Sequence, residues 1–155
     1  MLDITQEHQP LAAFIQDFRH HLHRHPELSN DEFNTTASIR AVLEKYQIHV
    51  IDLPLKTGLV AEIGGINPGE LVVLRSDIDA LPIEEKSAVD YTSQNPGVMH
   101  ACGHDFHTSA ALGAAILLKA QEDSLSGTVR ILFQAAEETG HGAPALISTG
   151  ALDNA

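Results

Sequence analysis

An apolar run that ends abruptly in charged residues is the feature that most constrains the fold. Leu71-Val72-Val73-Leu74 leads directly into Arg75-Ser76-Asp77-Ile78-Asp79. A continuous apolar run is typical of a strand buried on both faces of an α/β sheet. Because ligands bind at the carboxyl ends of such strands, we expect Asp77 and Asp79 to lie near a binding site. The alternative is that they only cap a loop.

The rest of the chain alternates between helical and strand patterns. Apolar spacing predicts helices over 8–25, about 30–46, 108–120 and 140–148. Short strands are predicted over 48–53, 58–63 and 128–134, with Pro68-Gly69 as a turn and 83–101 as a loop. This alternation predicts an α/β fold with a mainly parallel sheet flanked by helices.

Capping signals refine the second helix. Ser29 with Glu32 three positions later, or Asn30 itself, is predicted to be its N-cap. The predicted buried side of this helix consists of Phe33, Ala37, Leu43 and Tyr46.

The composition excludes several classes of protein. The chain has 155 residues, and 9 Lys and Arg against 21 Asp and Glu give a formal net charge of −12. This balance argues against nucleic-acid binding, which needs clustered cations. Residues 1–7 lack the pattern of a secretory signal, and no apolar run approaches membrane-spanning length. The single Cys cannot form an internal disulfide, so we expect a reduced, cytoplasmic setting.

The stretch from Met99 to His107 is the densest in potential metal ligands. It contains Cys102, three His and one Asp. In an extended segment Cys102 and His104 would point the same way, so that a thiolate and an imidazole could face one Zn²⁺ or a related ion. Taken alone, the pattern also fits an inert Cys beside a surface His, or a Cys–His hydrolase that uses no metal.

A second stretch places two carboxylates after an apolar strand. Glu137-Glu138 follows Val129–Phe133 and would lie at the carboxyl end of that strand, beside Cys102 if the strands are neighbours. On an extended chain the two side chains would point opposite ways, one toward a metal and one toward substrate. The alternative is a solvated acidic turn.

Four further histidines resemble a cluster of metal ligands at first sight: His20, His21, His23 and His25. His21 and His25 are one helical turn apart, but no acidic residue stands between them as in H-E-x-x-H. We therefore interpret this group as structural or exposed.

Four motifs occur in the order found in the M20 metallopeptidase family. They are His21–Ser29, Arg75–Ile83, Met99–Asp105 and Phe133–Glu138. More narrowly, the chain resembles the amidohydrolase branch: hippurate hydrolases, N-acyl-amino-acid deacylases and auxin-conjugate hydrolases. The resemblance implies the N-terminal part of a zinc-peptidase-like catalytic domain, acting on the amide of a small N-acyl or N-aroyl amino acid.

The resemblance also implies roles for individual residues. Two divalent ions (Mn²⁺, Zn²⁺, Ni²⁺ or Co²⁺) would share a site, with Cys102 as bridging ligand and His104 and Glu138 as further ligands. Glu137 matches the general base, and Asp79, with Asp77 nearby, matches a residue that orients a ligand. Ala135 departs from the family pattern, in which Pro is common, and should loosen the approach to Glu137.

The length of the chain suggests that it is part of a larger enzyme. Residues 1–155 would form a partial catalytic domain. Two further His ligands, and an inserted domain that closes over substrate and forms a homo-oligomer, are expected outside it. We therefore expect this chain alone to bind metal weakly and to lack useful activity. The alternatives are a non-catalytic remnant that binds a partner or a metal, and an exopeptidase or dipeptidase of the same superfamily.

Overall fold

The computed structural model describes residues 9–155 and contains four helices, one 3₁₀ turn and one sheet within that range. The helices are α1 (Gln9–Arg24), α2 (Phe33–Lys45), α3 (His104–Lys119) and α4 (Gly142–Ser148). The strands are β1 (His49–Ile51), β2 (Leu59–Gly64), β3 (Asn67–Asp77) and β4 (Ser126–Gln134). Residue 8, at the start of the first predicted helix, lies outside the described residues. So do residues 1–7, which lack the sequence pattern of a secretory signal.

The sheet is mixed, in the strand order β1-β2-β4-β3. The predicted α/β class with flanking helices is confirmed, whereas the expectation of a mainly parallel sheet is wrong. Only β3 and β4 pair in parallel, while β1–β2 and β2–β4 are antiparallel. The parallel pair is the one that matters for the site, because it brings the carboxyl ends of β3 and β4 to the same edge.

The core lies mainly on one face of the sheet. Alternate residues of β2 and β4, such as Leu59 and Phe133, pack with the buried sides of α1, α2 and α3. The opposite face holds a smaller cluster in which Val60 and Leu132 meet Leu146 of α4. This alternation follows from the two-residue period of a strand.

The position of β3 differs from the prediction. It is an edge strand in the described residues, and Val72 is 58% exposed, so the run 71–74 is not buried on both faces. Pro68 and Gly69 belong to β3 rather than to a turn, at a shift in pairing register between Asn67 and Leu71. Proline is tolerated there because an edge position or a bulge does not need its missing N–H.

Helix α2 also corrects two expectations. It begins at Phe33 after Glu32, whose own side chain makes no capping hydrogen bond, and Asn30 has a positive φ of 68°. The Glu27 carboxylate caps the first turn instead, accepting from the backbone N–H groups of Asn34 and Thr35. Ser29 instead donates a hydrogen bond to Asp79. Leu43 is buried as predicted, but Phe33 and Ala37 are exposed. The observed buried side consists of Thr35, Ile39, Val42 and Leu43.

No helix within residues 9–155 is long and apolar enough to cross a membrane.

The first residue of α4 should not tolerate a side chain. A Cβ on Gly142 would lie 1.6 Å from the carbonyl oxygen of Ala135, a backbone atom that cannot move aside cheaply. We expect Gly142→Ala to lower the free energy of unfolding by at least about 2 kcal/mol, as overpacking does. Chemical denaturation monitored by circular dichroism measures this.

A matched helical control is available in α3. A Cβ on Gly113 would make an ordinary 3.4 Å contact with Ile15. Gly113→Ala should therefore stabilise the chain by up to about 1 kcal/mol through helix propensity. Equal stabilities for the two variants would contradict the close packing at Gly142.

Candidate metal centre

Three chain segments meet at the carboxyl edge of the parallel strand pair. Asp77 at the end of β3 pairs in register with Gln134 at the end of β4. Helix α3 begins at His104 and is tied to the end of β3 by Thr108, whose hydroxyl donates to the Asp77 carbonyl at 2.9 Å. The residues that follow β3 and β4, and those that precede α3, are thereby brought into one cluster.

The segment carrying Cys102 and His104 is a tight turn and not the extended segment we expected. Gly103 has a φ of 78°, a left-handed conformation that glycine adopts without steric cost. The turn leads straight into α3, so that His104 is the first helical residue. The two side chains still approach each other, although the predicted reason for this was wrong.

The carboxylates of Glu137 and Glu138 also lie on a turn, which follows β4 and spans 137–140. The turn is preceded by Ala136, which has a positive φ of 50°. Its backbone N–H donates to the buried Glu32 carboxylate at 2.8 Å, and its carbonyl accepts from the Gly142 N–H at 3.0 Å. The turn directs both carboxylates toward the same imidazole, in contrast to the opposite directions predicted for an extended chain.

Asp79 connects the three segments. Its carboxylate accepts hydrogen bonds from His104 Nδ1 at 3.1 Å, from the Ser29 hydroxyl at 2.6 Å and from the backbone N–H of Glu138 at 3.0 Å. Burial alone would raise the pKa of Asp79, but these hydrogen bonds outweigh it and lower the pKa to about 2. Asp79 is therefore ionised at neutral pH and acts as a fixed acceptor.

His104 presents one free ring nitrogen to the cluster. Nδ1 faces two acceptors, the Asp79 side chain and the Asp79 carbonyl at 2.9 Å, so this nitrogen carries the proton. Nε2 lies 3.7 Å from Glu138 Oε1 and 4.0 Å from Glu137 Oε2. Burial lowers the pKa of His104, but the hydrogen bond to Asp79 and the charge of Asp77 raise it overall.

The donor set fits a small divalent cation. The ligand atoms of Cys102, His104 and Glu138 all lie within 4.8 Å of one another. Two ligands held at about 2.1 Å from a tetrahedral ion lie about 3.4 Å apart, close to the 3.7 Å between His104 Nε2 and Glu138 Oε1. Glu138 Oε1 is buried without a hydrogen-bond partner among the described residues. A cation between these atoms would satisfy that oxygen.

The electrostatics of Cys102 distinguish a ligand from a nucleophile. A hydrogen bond to Glu138, together with desolvation and the neighbouring carboxylates, raises the pKa of the thiol to about 11. A nucleophilic Cys needs the opposite, a lowered pKa. Without a cation, Cys102 is therefore a protonated thiol at neutral pH.

A second group of potential ligands joins Asp77 and His107 to the same His104. We did not single out His107 from the sequence, although its spacing of three from His104 at a helix start could have indicated it. Both oxygens of Asp77 already have partners: one accepts from His107 Nδ1 at 2.6 Å and the other pairs with Arg75 at 2.9 Å. The two groups also compete for one imidazole nitrogen, and of their two carboxylates in the described part of the chain only that of Glu138 has a buried oxygen without a hydrogen-bond partner.

None of the four histidines of the 20–25 cluster belongs to a group of three potential metal ligands in the part of the chain that the structure describes. His21 and His25 are exposed, whereas His23 is buried and hydrogen-bonded. His100, in the Met99–His107 stretch, is also buried, and this burial lowers its pKa to about 4.

The fold and the donor set together define an α/β domain with a potential metal site, and comparison with known proteins identifies its family. A model of peptidase family M20/M25/M40 matches residues 73–155. This match covers more than half of the chain, which therefore belongs to this family.

Individual relatives agree with this assignment. The chain is 56% identical to a Bacillus subtilis N-acetyl-L-cysteine deacetylase over 99% of its own length and 38% of that protein. It is 42% identical to an N-acyl-L-amino acid amidohydrolase of Geobacillus stearothermophilus, over 88% of this chain and 37% of the relative. A Bacillus subtilis crystal structure, described as a dinuclear metal-binding peptidase of family M20, superposes with a TM-score of 0.92 at 46% identity, covering 94% of this chain and 41% of that one. The chain thus spans about two fifths of the length of these relatives.

Metal uptake should strengthen as the pH rises. The thiol of Cys102, with its pKa of about 11, must lose its proton to become a ligand. The affinity for Zn²⁺ should therefore increase about tenfold per unit between roughly pH 7 and pH 9, as competition with a chromophoric chelator would measure. Cys102→Ala should remove most of this dependence. An affinity of the unmodified chain that does not change with pH would contradict a thiolate ligand.

Proposed function

We propose that this chain supplies the metal-binding and general-base residues of an amidohydrolase acting on N-acyl amino acids. Cys102, His104 and Glu138 are the proposed ligands, and Glu137 is the proposed base. The observation that carries the proposal is the convergence of the three ligand atoms within 4.8 Å, beside a second, more accessible carboxylate, that of Glu137.

The environments of the two glutamates support different roles. The Glu138 side chain is 17% exposed and its backbone is fixed by Asp79, as suits a ligand. The Glu137 side chain is 39% exposed, with an oxygen 4.0 Å from the same imidazole nitrogen. Glu137 can therefore reach both the metal position and a substrate that approaches from solvent.

A bound divalent ion supplies Lewis-acid chemistry, lowering the pKa of a water molecule and stabilising negative charge on a carbonyl oxygen. Glu137 accepts the proton of the attacking water and passes it to the nitrogen of the leaving amino acid. Asp79 keeps the proton of His104 on Nδ1, so that Nε2 stays available as a ligand.

The described residues provide one coordination shell and not two. Three ligands at a single position fit one ion, and a pair of ions would need additional donors. We therefore propose that this chain binds one divalent ion and that turnover needs ligands from further polypeptide. Association of that longer protein into a homo-oligomer, and its cytoplasmic location, stay predictions.

The relatives guide the choice of substrate. Two of them are described as deacetylases of N-acetylcysteine, at 56% and 49% identity, and a third as an N-acyl-L-amino acid amidohydrolase. We propose a small N-acyl L-amino acid as substrate, with N-acetyl-L-cysteine the first compound to assay. Dipeptides form the comparison panel for the exopeptidase alternative.

The metal-independent Cys–His alternative is less compatible with the site. The raised pKa of Cys102 disfavours a thiolate nucleophile, and that reaction would leave both glutamates without a role. Loss of activity with a chelator and its recovery with Mn²⁺ or Zn²⁺ would separate the two mechanisms.

Separate substitution of Glu137 and Glu138 should distinguish a loss of catalysis from a loss of metal binding. The suitable background is a chimera in which this chain replaces the matching 38% of the Bacillus subtilis N-acetyl-L-cysteine deacetylase. Glu137→Gln should lower kcat at least about 100-fold, as expected for a lost general base, while the metal content is unchanged. Glu138→Gln should reduce both metal content and activity, measured by elemental analysis and amine release.

Glu44→Gln, on the exposed surface of α2, is the matched control and should resemble the unmodified chimera. Loss of metal in Glu137→Gln with retention in Glu138→Gln would mean that the two roles are exchanged. An inactive chimera with full metal content would count against the proposed substrate class.

A further inference from the structure

His23 is a buried histidine that the proposed reaction does not use. It lies near the end of α1, is 6% exposed, and engages both of its ring nitrogens. Nδ1 is 2.9 Å from Asp105 Oδ2, and Nε2 is 3.1 Å from Glu85 Oε1. One imidazole therefore joins two carboxylates that are twenty positions apart in the sequence.

These two partners bracket the segment that carries the proposed ligands. Asp105 follows His104 directly, in the first turn of α3. Glu85 lies near the start of the long loop that leads to Cys102, and it also accepts a hydrogen bond from the Ser93 backbone N–H at 2.6 Å. His23 thus holds both ends of the stretch 85–105 against α1.

The surroundings make this contact rigid. Arg19, one turn earlier on α1, donates to the same Asp105 oxygen at 3.1 Å. The ring of Tyr91, in the loop, meets His23 edge-on at 5.3 Å and stacks on His20 at 3.9 Å. The loop backbone is also bound to the end of α1, because Gln94 N–H donates to the Arg24 carbonyl at 2.8 Å.

The two carboxylates depend on His23 because they are buried. The side chains of Asp105 and Glu85 are 1% and 2% exposed. Burial acts to raise the pKa of Glu85, but hydrogen bonds from Ser87, Ser93 and His23 lower it overall. Without His23 each buried carboxylate would lose a hydrogen-bond partner: Asp105 would keep Arg19, and Glu85 would keep Ser87 and the Ser93 N–H but lose its contact with α1.

We propose that His23 is a positioning residue that holds the turn of Cys102 and His104 in the geometry that binds metal. This inference rests on the proposed function, since it presupposes that these two side chains are ligands. A positioning role differs from a general contribution to stability. If His23 positions the turn, its removal should weaken metal binding by more than the loss of stability of α1 explains.

The test is a Co²⁺ titration of the 155-residue chain, followed by the thiolate-to-cobalt charge-transfer absorbance. His23→Phe keeps the ring volume but removes both hydrogen bonds. It should weaken Co²⁺ binding at least tenfold and reduce the charge-transfer intensity per bound ion. His21→Phe, on the exposed side of the same helix, should match the unmodified chain.

A stability control separates positioning from folding. Leu22→Ala removes a side chain that is 2% exposed from the same helix, and the core cluster to which Leu22 belongs contains no residue of the loop 83–101. It should lower the unfolding midpoint yet, while folded, keep the affinity and the spectrum of the unmodified chain. If Leu22→Ala weakens binding as much as His23→Phe, the effect is one of stability and the positioning role is overturned.

Two further outcomes are decisive. If the unmodified chain shows no charge-transfer band that depends on Cys102, the metal-site proposal itself fails. If it does show the band and His23→Phe binds with equal affinity and spectrum, only the role of His23 is overturned. If His23→Phe does not fold, Glu85→Gln is the deciding variant, because it releases one end of the segment 85–105. It should also weaken Co²⁺ binding. Unchanged binding in Glu85→Gln would then overturn the proposal.

Discussion

The candidate site depends on one buried carboxylate, that of Asp79. Its hydrogen bonds to Ser29, His104 and Glu138 join the segment that follows β3 to three other segments far apart in the sequence. Hydrogen bonds of this kind offset the high cost of burying a charge. They also fix the tautomer of His104, since Nδ1 must donate to Asp79 and only Nε2 can face the glutamates. The same interaction therefore sets the chemistry of the imidazole and the position of the ligand-bearing turn.

A metal ion would complete a site that the protein alone leaves electrostatically unbalanced. Glu138 Oε1 is buried and unpaired among the described residues, whereas the oxygens of Asp77 have Arg75 and His107 as partners. The two groups of potential ligands therefore differ chiefly in whether their carboxylate oxygens already have partners, and less in the number of nearby donors. Because ligand binding to the folded state stabilises it by mass action, the proposed ion should also support the fold.

Much of this arrangement could be predicted from local sequence patterns. The helical and strand periodicities of the sequence predicted most of the elements. The charged residues that follow two apolar strands indicated the edge of the sheet at which these residues meet. Strand order could not be predicted, because the run 71–74 is as apolar as a central strand although β3 is an edge strand of the sheet formed within residues 9–155. The role of Glu32 was missed for a related reason: its partner Ala136 is 104 residues away, and no local signal records such a contact.

X-ray absorption of the chain loaded with one equivalent of Zn²⁺ tests the central claim most directly, since it reports the donor atoms around the ion. The account predicts one sulfur at about 2.3 Å with nitrogen and oxygen donors at about 2.0–2.2 Å, and loss of the sulfur shell in Cys102→Ala. A shell of nitrogen and oxygen alone in the unmodified chain would contradict it, because Cys102 would then not share an ion with His104 and Glu138.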